Sequence, residues 1–194
     1  MNLVSSAAPT LAEFDRLSRM IARLCAQRHA LDLATRRIRG RQGWVLELGL
    51  GKGRTYDRLR RLLPDREIHV FDRGVHCPND VRPPAERLWL GELELTLVEF
   101  QQRHGRRAVL VHADIGTEDP GADALLVARI APLLRPLLLA GGVLICDRSM
   151  PDLDWAGCEC LQAPRPAIMS ADGPEGSDPG DASPVWPYFL YEAA

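Results

Sequence analysis

The chain has 194 residues, 46% hydrophobic and 26% charged, which suits a single α/β domain able to bury its own core without disulfide or metal staples. The formal net charge of −2 removes any bulk attraction to nucleic acid or to an anionic lipid surface, although residues 1–110 carry a net +7 and residues 111–194 a net −9. Five cysteines at irregular spacing argue against a secreted disulfide framework, and the opening MNLVSSAAPT has no basic or apolar region of a signal peptide, so a bacterial-type cytoplasm is the expected location.

Apolar residues recur at helical spacing from Pro9 to Arg39, predicting one long or two short helices that stop at Gly40. Trp44 to Leu48 is a short apolar run broken by one acid, hence a buried strand. Glycine-rich residues 49–53 follow, then a helix over about 55–63 stopped by Pro64. Strands are predicted at 68–71, 88–90, 108–112 and 143–147, with helices over 93–103 and 120–139, the second opening on a proline and interrupted near Pro132 and Pro136. Residues 75–86 are a Pro-rich loop. The stretch 124–146 is apolar but carries Arg129, Arg135, two prolines and two glycines, so a membrane span is not expected.

This alternation of strand and helix is the signature of a doubly wound, mostly parallel, Rossmann-like α/β sheet. After Asp147 it fails. A strand is expected at 158–161, a loop rich in Pro, Gly, Asp and Ser over 163–184, and a last, antiparallel edge strand over 185–191. The expected organisation is one domain: an N-terminal helical cap (1–40), a core (41–150), and C-terminal strands and loop (151–194).

The sharpest motif is Glu47-Leu-Gly49-Leu-Gly51-Lys-Gly53, set between a strand and a helix. Glycines there allow a tight turn and close approach of a ligand to the main chain, and the helix start adds free N–H donors. The phosphate loop G-x-x-x-x-G-K-[ST] is absent, and the dinucleotide fingerprint would need Gly or Ala where Arg54 stands. The motif resembles the E-x-G-x-G-x-G nucleoside-binding loop of class I S-adenosylmethionine methyltransferases. Asp72 stands at the end of the second strand, and Gly91-Glu92 follows the third. The phrase GKGRTYDRLR and the strand IHVFDR also resemble a small bacterial family of such enzymes.

The resemblance implies a SAM-dependent methyltransferase with S-adenosyl-L-methionine as cofactor. It implies a cofactor site made of Glu47, Gly49, Gly51, Gly53, Asp72, Arg73, Gly91, Glu92 and Leu93. Asp72 would take the ribose hydroxyls and Glu92 the adenine amino group. A Gly-rich turn with solvated acids at strand ends is the plain structural alternative, and a non-catalytic SAM- or nucleoside-binding module and an NAD-linked oxidoreductase are the functional ones.

Methyl transfer from a sulfonium needs alignment and exclusion of water, with a base when the acceptor must lose a proton. His112 and Asp114 end the fourth strand on one face, and Tyr56 opens the helix after the glycine loop. These three are the candidate catalytic residues, each with a packing role as its alternative. Asp147 closes the fifth strand, facing either the pocket or solvent. Cys158-x-Cys160 and His76-Cys77 lack metal-ligand spacing, so no metal is expected. No N-P-P-Y-like tetrad and no nucleic-acid-binding track is present, so a small-molecule acceptor is expected, beneath a 163–184 loop that is either a lid or a slack connection. Residues 185–191 are apolar on both faces, which predicts a homodimer or dimer of dimers through the C-terminal strands, unless Leu17, Ile21 and Leu24 of the first helix cover them.

Overall fold

The structure, a computed structural model, describes residues 14–117, 119–150, 155–161 and 186–194. The 163–184 loop, and Pro9 and Leu11 of the first helical segment, lie outside the described residues.

Helix α1 (Arg16–Arg37) is one unbroken helix. Its N-cap Asp15 accepts the backbone N–H groups of Leu17 and Ser18 at 2.9 and 3.0 Å, and Arg36 and Arg37 fall in the last turn, where the helix dipole favours cations. There follow β1 (Trp44–Leu48), α2 (Arg54–Leu62), β2 (Ile68–Asp72), β3 (Leu88–Leu90), α3 (Leu93–His104), β4 (Ala108–Ala113), α4 (Pro120–Leu134), β5 (Leu138–Cys146), β6 (Trp155–Leu161) and β7 (Tyr188–Ala193). The Pro-rich loop contains two short 3-10 turns, at Asn79–Val81 and Ala85–Arg87.

The strands form one sheet in the order β3-β2-β1-β4-β5-β7-β6. The first five are parallel, and β7 is antiparallel to both β5 and β6. The C-terminal strand thus belongs to the edge ribbon of the sheet, with β6 outermost. The chain reverses direction of winding between β1 and β4, and the crevice at the carboxyl ends of those strands is where such sheets bind ligands.

Two layers of helix cover the sheet. On one face α3 and α4 meet Leu46, Leu48, Phe71, Val111, Leu144 and Tyr191. On the other α1 and α2 meet Val45, Val70, Leu110, Ile145, Tyr188 and Leu190. Alternation along each strand sends neighbouring residues to opposite faces, and both faces are buried, so these strands read as nearly continuous apolar runs.

Two expectations need correction. Strand β5 begins at Leu138, not after Gly141-Gly142. Pro132 is carried inside α4, and the helix had already given way to a 3-10 turn at Arg135–Leu137 around Pro136, so the glycines form an irregularity inside the strand, where pairing with β4 jumps from Ala108↔Leu138 to Leu110↔Val143. Second, α1 approaches the sheet through Ala22, Ala26, Ala30, Leu31 and Ala34, whereas Leu17, Met20 and Leu24 stay exposed. Small side chains let the helix axis come close, and α1 itself covers the β5–β7 face that was expected to want a partner chain.

Candidate functional site

A cleft of about 410 Å³ opens over the carboxyl ends of β1, β2 and β4. Its floor is the glycine loop. Gly49 has φ +92, and a Cβ there would lie 2.6 Å from the carbonyl oxygen of Asp114, so only glycine lets the loop pass the end of β4. Gly51 has φ +47, and the space where its Cβ would stand is open, with no atom within 4 Å. Phe71, Leu93, Ile115 and Leu126 give the cleft apolar walls.

Asp72 ends β2 at the rim. Its Oδ2 accepts the backbone N–H groups of Leu50 (2.7 Å) and Gly51 (3.0 Å), and its Oδ1 accepts that of Gly74 (3.2 Å). One carboxylate therefore fixes the glycine loop and still lines the cleft. A carboxylate has about four acceptor positions, so three backbone bonds leave room for a ligand hydroxyl.

Gly49, Gly51, Asp72, Arg73 and Leu93 of the expected cofactor set line the cleft. Glu47, Gly53, Gly91 and Glu92 do not. Gly53 serves as the left-handed N-cap of α2, and Glu92 is the N-cap residue of α3, its side chain turned to an exposed ion pair with Arg73 at 2.9 Å.

Glu47 is fully buried beneath the loop. Thr55 donates its hydroxyl to Glu47 Oε1, while His112 Nδ1 lies 2.6 Å from Glu47 Oε2 and His112 Nε2 lies 2.5 Å from the Tyr188 hydroxyl. The register Glu47↔His112 sets these two side by side on adjacent strands, beneath α1 and α2. Burial alone would lower the His112 pKa, but the charge and hydrogen bond of Glu47, aided by Asp114 and Asp147, outweigh it and raise the value above 6.5. Tyr188 is pushed well above the ordinary phenol value, first by burial and then by the same acids. His112 has no exposed surface and both its nitrogens are engaged, so it stands behind the cleft and not in it.

Tyr56 is likewise buried, among Leu31, Leu59, Val70 and other residues of the α1/α2 layer, and does not line the cleft. Asp114 does line it. Its carboxylate holds Arg23 Nη2 at 2.6 and 2.9 Å and accepts from the Gln27 amide. Arg23, Gln27 and Leu24 make α1 one wall of the site, a contribution that no local spacing announced, since these residues lie about ninety positions upstream of Asp114. Ile115, Gly116 and Thr117 were also missed. They follow β4, and Thr117 is fixed by Asp123, which accepts both its N–H and its hydroxyl at 2.7 Å. Asp147, at the end of β5, is 93% buried because only 7% of it is exposed, and its Oδ1 has no hydrogen-bond partner among the described residues. Among those residues no group of three or more His, Cys, Asp or Glu is placed to hold a metal ion.

Comparison with known proteins gives this geometry its family. A family model described as S-adenosyl-L-methionine methyltransferase matches residues 14–170. A solved S-adenosyl-L-methionine methyltransferase from Silicibacter pomeroyi DSS-3 is 34% identical, covers 94% of this chain and 100% of its own, and superposes with a TM-score of 0.76. At the level of fold alone, a putative caffeoyl-CoA O-methyltransferase from Staphylococcus aureus is similar at 12% identity and a TM-score of 0.54, covering 94% of each chain. So is a 1,6-didemethyltoxoflavin-N1-methyltransferase from Burkholderia thailandensis, with 1,6-didemethyltoxoflavin and S-adenosylhomocysteine bound, at 16% identity and a TM-score of 0.50, covering 87% of this chain and 78% of its own. No curated protein matches the sequence. With the match spanning most of the chain and the glycine loop, Asp72 and the cleft in place, the chain belongs to the S-adenosyl-L-methionine methyltransferase family and is a SAM-dependent enzyme of Rossmann-like fold.

Proposed function

We propose that this enzyme methylates a small-molecule acceptor, and that the cleft between the glycine loop and α1 receives both cofactor and acceptor. The observation that carries the reading is the cleft itself: open space beside Gly51, an apolar slot between Leu93, Phe71, Ile115 and Leu126, and an acid at the rim between them. These features suit a nucleoside, with the base in the slot and the ribose at Asp72. When bound there, S-adenosylmethionine supplies a methyl group made electrophilic by a sulfonium. Its cationic end is compatible with the acids near the end of β4, and its carboxylate with Arg23.

The chain's own residues then hold and orient. Asp72 accepts ribose hydroxyls with the acceptor capacity that the loop amides leave free. Leu93 and Ile115 exclude water from the reacting centre, which matters for a displacement that needs alignment. Glu47 and His112 act from behind the cleft as positioning residues, keeping Thr55 and the loop in register. Gly53, Gly91, Glu92 and Tyr56 shape the starts of α2 and α3. The same fold holds 1,6-didemethyltoxoflavin in the Burkholderia protein, which supports an acceptor of that size. The chain acts as one domain in a cytoplasmic setting; no helix among the described residues is long and apolar enough to cross a membrane. Self-association as a homodimer or dimer of dimers is proposed through the exposed Leu17 and Met20 of α1.

The test is to incubate the enzyme with methyl-labelled S-adenosylmethionine and a cell extract separated into small-molecule and macromolecular fractions. Label is expected in the small-molecule fraction. Label confined to protein or nucleic acid would overturn the acceptor class, and failure of S-adenosylhomocysteine to bind in calorimetry would overturn the cofactor placement.

A further inference from the structure

Four cations and two acids line the cleft: Arg23, Lys52, Arg54 and Arg73 against Asp72 and Asp114. Two of the cations are already met. Arg23 is paired with Asp114 at 2.6 Å, and Arg73 with Glu92 at 2.9 Å. Lys52 and Arg54 are exposed and make no ion pair among the described residues. They flank Gly53 in the glycine loop, on the side of the cleft where Gly51 leaves open space. Lys52 is also the one lysine of a chain whose other basic side chains of this kind are all arginine. An ammonium on a flexible stem is a compact point charge that can follow an anion into the cleft, and a guanidinium offers a planar fork to a carboxylate.

Behind this lining the charged groups hold one another. Glu47 bonds His112, and Arg148 holds Asp123 at 2.6 Å and also attracts Asp147. These three acids are buried, and the negative charge left over among them lines no part of the cleft. S-adenosylmethionine brings an ammonium, a sulfonium and one carboxylate, so it does not supply the anion that Lys52 and Arg54 lack once Arg23 has taken its carboxylate.

The acids of the cleft are committed as well. Asp114 accepts from Arg23 and Gln27, and Asp72 from three backbone N–H groups. His112 and Tyr56 lie outside the lining. An alcohol or an ammonium ion must give up a proton to be methylated, whereas a carboxylic acid at neutral pH has already lost it.

We propose that the acceptor is a carboxylic acid, bound as its anion by Lys52 and Arg54 and methylated on a carboxylate oxygen to give a methyl ester. The assignment rests on the methyltransferase reading above and names its substrate class. In the step a lone pair of the carboxylate oxygen forms the O–C bond to the methyl group as the C–S bond breaks, its electron pair remaining on sulfur in the thioether product. No proton is transferred. The anion and the sulfonium cancel as the new bond forms, so charge is lost toward the transition state, and the apolar walls of Phe71, Leu93, Ile115 and Leu126 favour that change.

Calorimetry on the enzyme saturated with S-adenosylhomocysteine tests the binding, with benzoate, benzyl alcohol and benzylamine as probes that differ at one group. Benzoate should bind at least about tenfold more tightly than either of the others. The double variant Lys52→Gln, Arg54→Gln should remove that preference while S-adenosylhomocysteine affinity stays within about twofold. The chemistry is read from the product. Methyl label passed from S-adenosylmethionine to the small-molecule fraction of a cell extract should be released as methanol by mild alkali, as esters release it and N-methyl, S-methyl and ether products do not. Equal affinity for the three probes, binding of none, an unchanged preference in the double variant, a loss of S-adenosylhomocysteine affinity there that matches the loss of benzoate, or alkali-stable label overturns the assignment. Label absent from the small-molecule fraction defeats the acceptor reading above instead, and failure of the wild-type enzyme to bind S-adenosylhomocysteine defeats the cofactor placement; this assignment falls with either.

Discussion

Asp72 uses one carboxylate for two purposes, since it accepts the loop amides of Leu50 and Gly51 and stands on the rim of the cleft. Asp72→Ala should therefore weaken S-adenosylhomocysteine binding at least tenfold, about 1.4–3 kcal/mol, and also lower stability by about 1 kcal/mol because the part-buried Leu50 N–H and the exposed Gly51 N–H lose their acceptor. Calorimetry and melting on the same preparation separate the two losses; a variant that loses only one would show that the two purposes are not shared. The glycines give a contrast. Gly49→Ala drives a Cβ to 2.6 Å from the Asp114 carbonyl and should prevent folding, whereas Gly51→Ala meets no atom within 4 Å. The latter should stay folded at a strain cost of about 1–2 kcal/mol for its left-handed backbone, yet bind ligand poorly. Circular dichroism paired with titration checks both, and a well-folded Gly49→Ala would refute the close-approach argument.

Between elements, two buried histidines act with opposite sign. His112 has its pKa raised: burial opposes this, but Glu47 prevails. Its contribution is complete below the ordinary 6.5 and is lost as pH rises through the raised value. His69, between Glu67 and Trp89, has its pKa lowered by burial against the pull of Glu67. Its contribution is present above 6.5 and is lost as pH falls through the lowered value. Melting against pH should thus fall on the alkaline side through His112 and on the acid side through His69. His112→Asn should flatten only the alkaline limb; an alkaline limb that persists would mean that another group controls it.

Helix α1 is held to the end of β4 by the Arg23–Asp114 pair, which is only partly exposed. Arg23→Ala should cost about 1–3 kcal/mol and speed amide exchange in the first turns of α1, while α3 is unaffected. The burial pattern explains which of these elements could be foreseen. Strands β1, β2 and β4 are buried on both faces and apolar apart from Glu47, His69, Asp72 and His112, so they stand out locally. The inward face of α1 is mostly alanine, which carries a weaker apolar signal than the Leu17, Met20 and Leu24 that point outward. Gly141-Gly142 looked like a helix stop and proved to be an irregularity within β5, because sequence does not tell a glycine that ends an element from one that bends it.

At the scale of the whole molecule, the order β3-β2-β1-β4-β5-β7-β6 gathers into one crevice residues from α1, both ends of the glycine loop, β2, β4 and the start of α3. Of the expected residues that line the cleft, Gly49, Gly51, Asp72 and Arg73 sit within or just after one strand–loop–helix–strand unit, and Leu93 and Asp114 mark the start of α3 and the end of β4. Arg23, Gln27 and Ile115 come from segments that only the folded sheet brings there, and His112, which local alternation placed beside Asp114, was drawn into the core by Glu47 and Tyr188. Because α1 already covers β7, self-association should depend on the outer face of α1: light scattering at micromolar concentration should give a dimeric or larger mass for the wild type and a monomeric mass for Leu17→Glu. A wild-type monomer would remove that proposal.

The clamp that Asp72 places on Leu50 and Gly51 also governs how the cofactor arrives. A glycine-rich loop left to itself samples many shapes, and a ligand would have to wait for the right one. Here two strand ends and two backbone hydrogen bonds to Asp72 hold the loop in its receiving shape beforehand, so the encounter needs no prior isomerisation. Stopped-flow binding of S-adenosylhomocysteine should then show one exponential whose rate rises linearly with ligand concentration, without the plateau of a gated loop. In Asp72→Ala the plateau should appear.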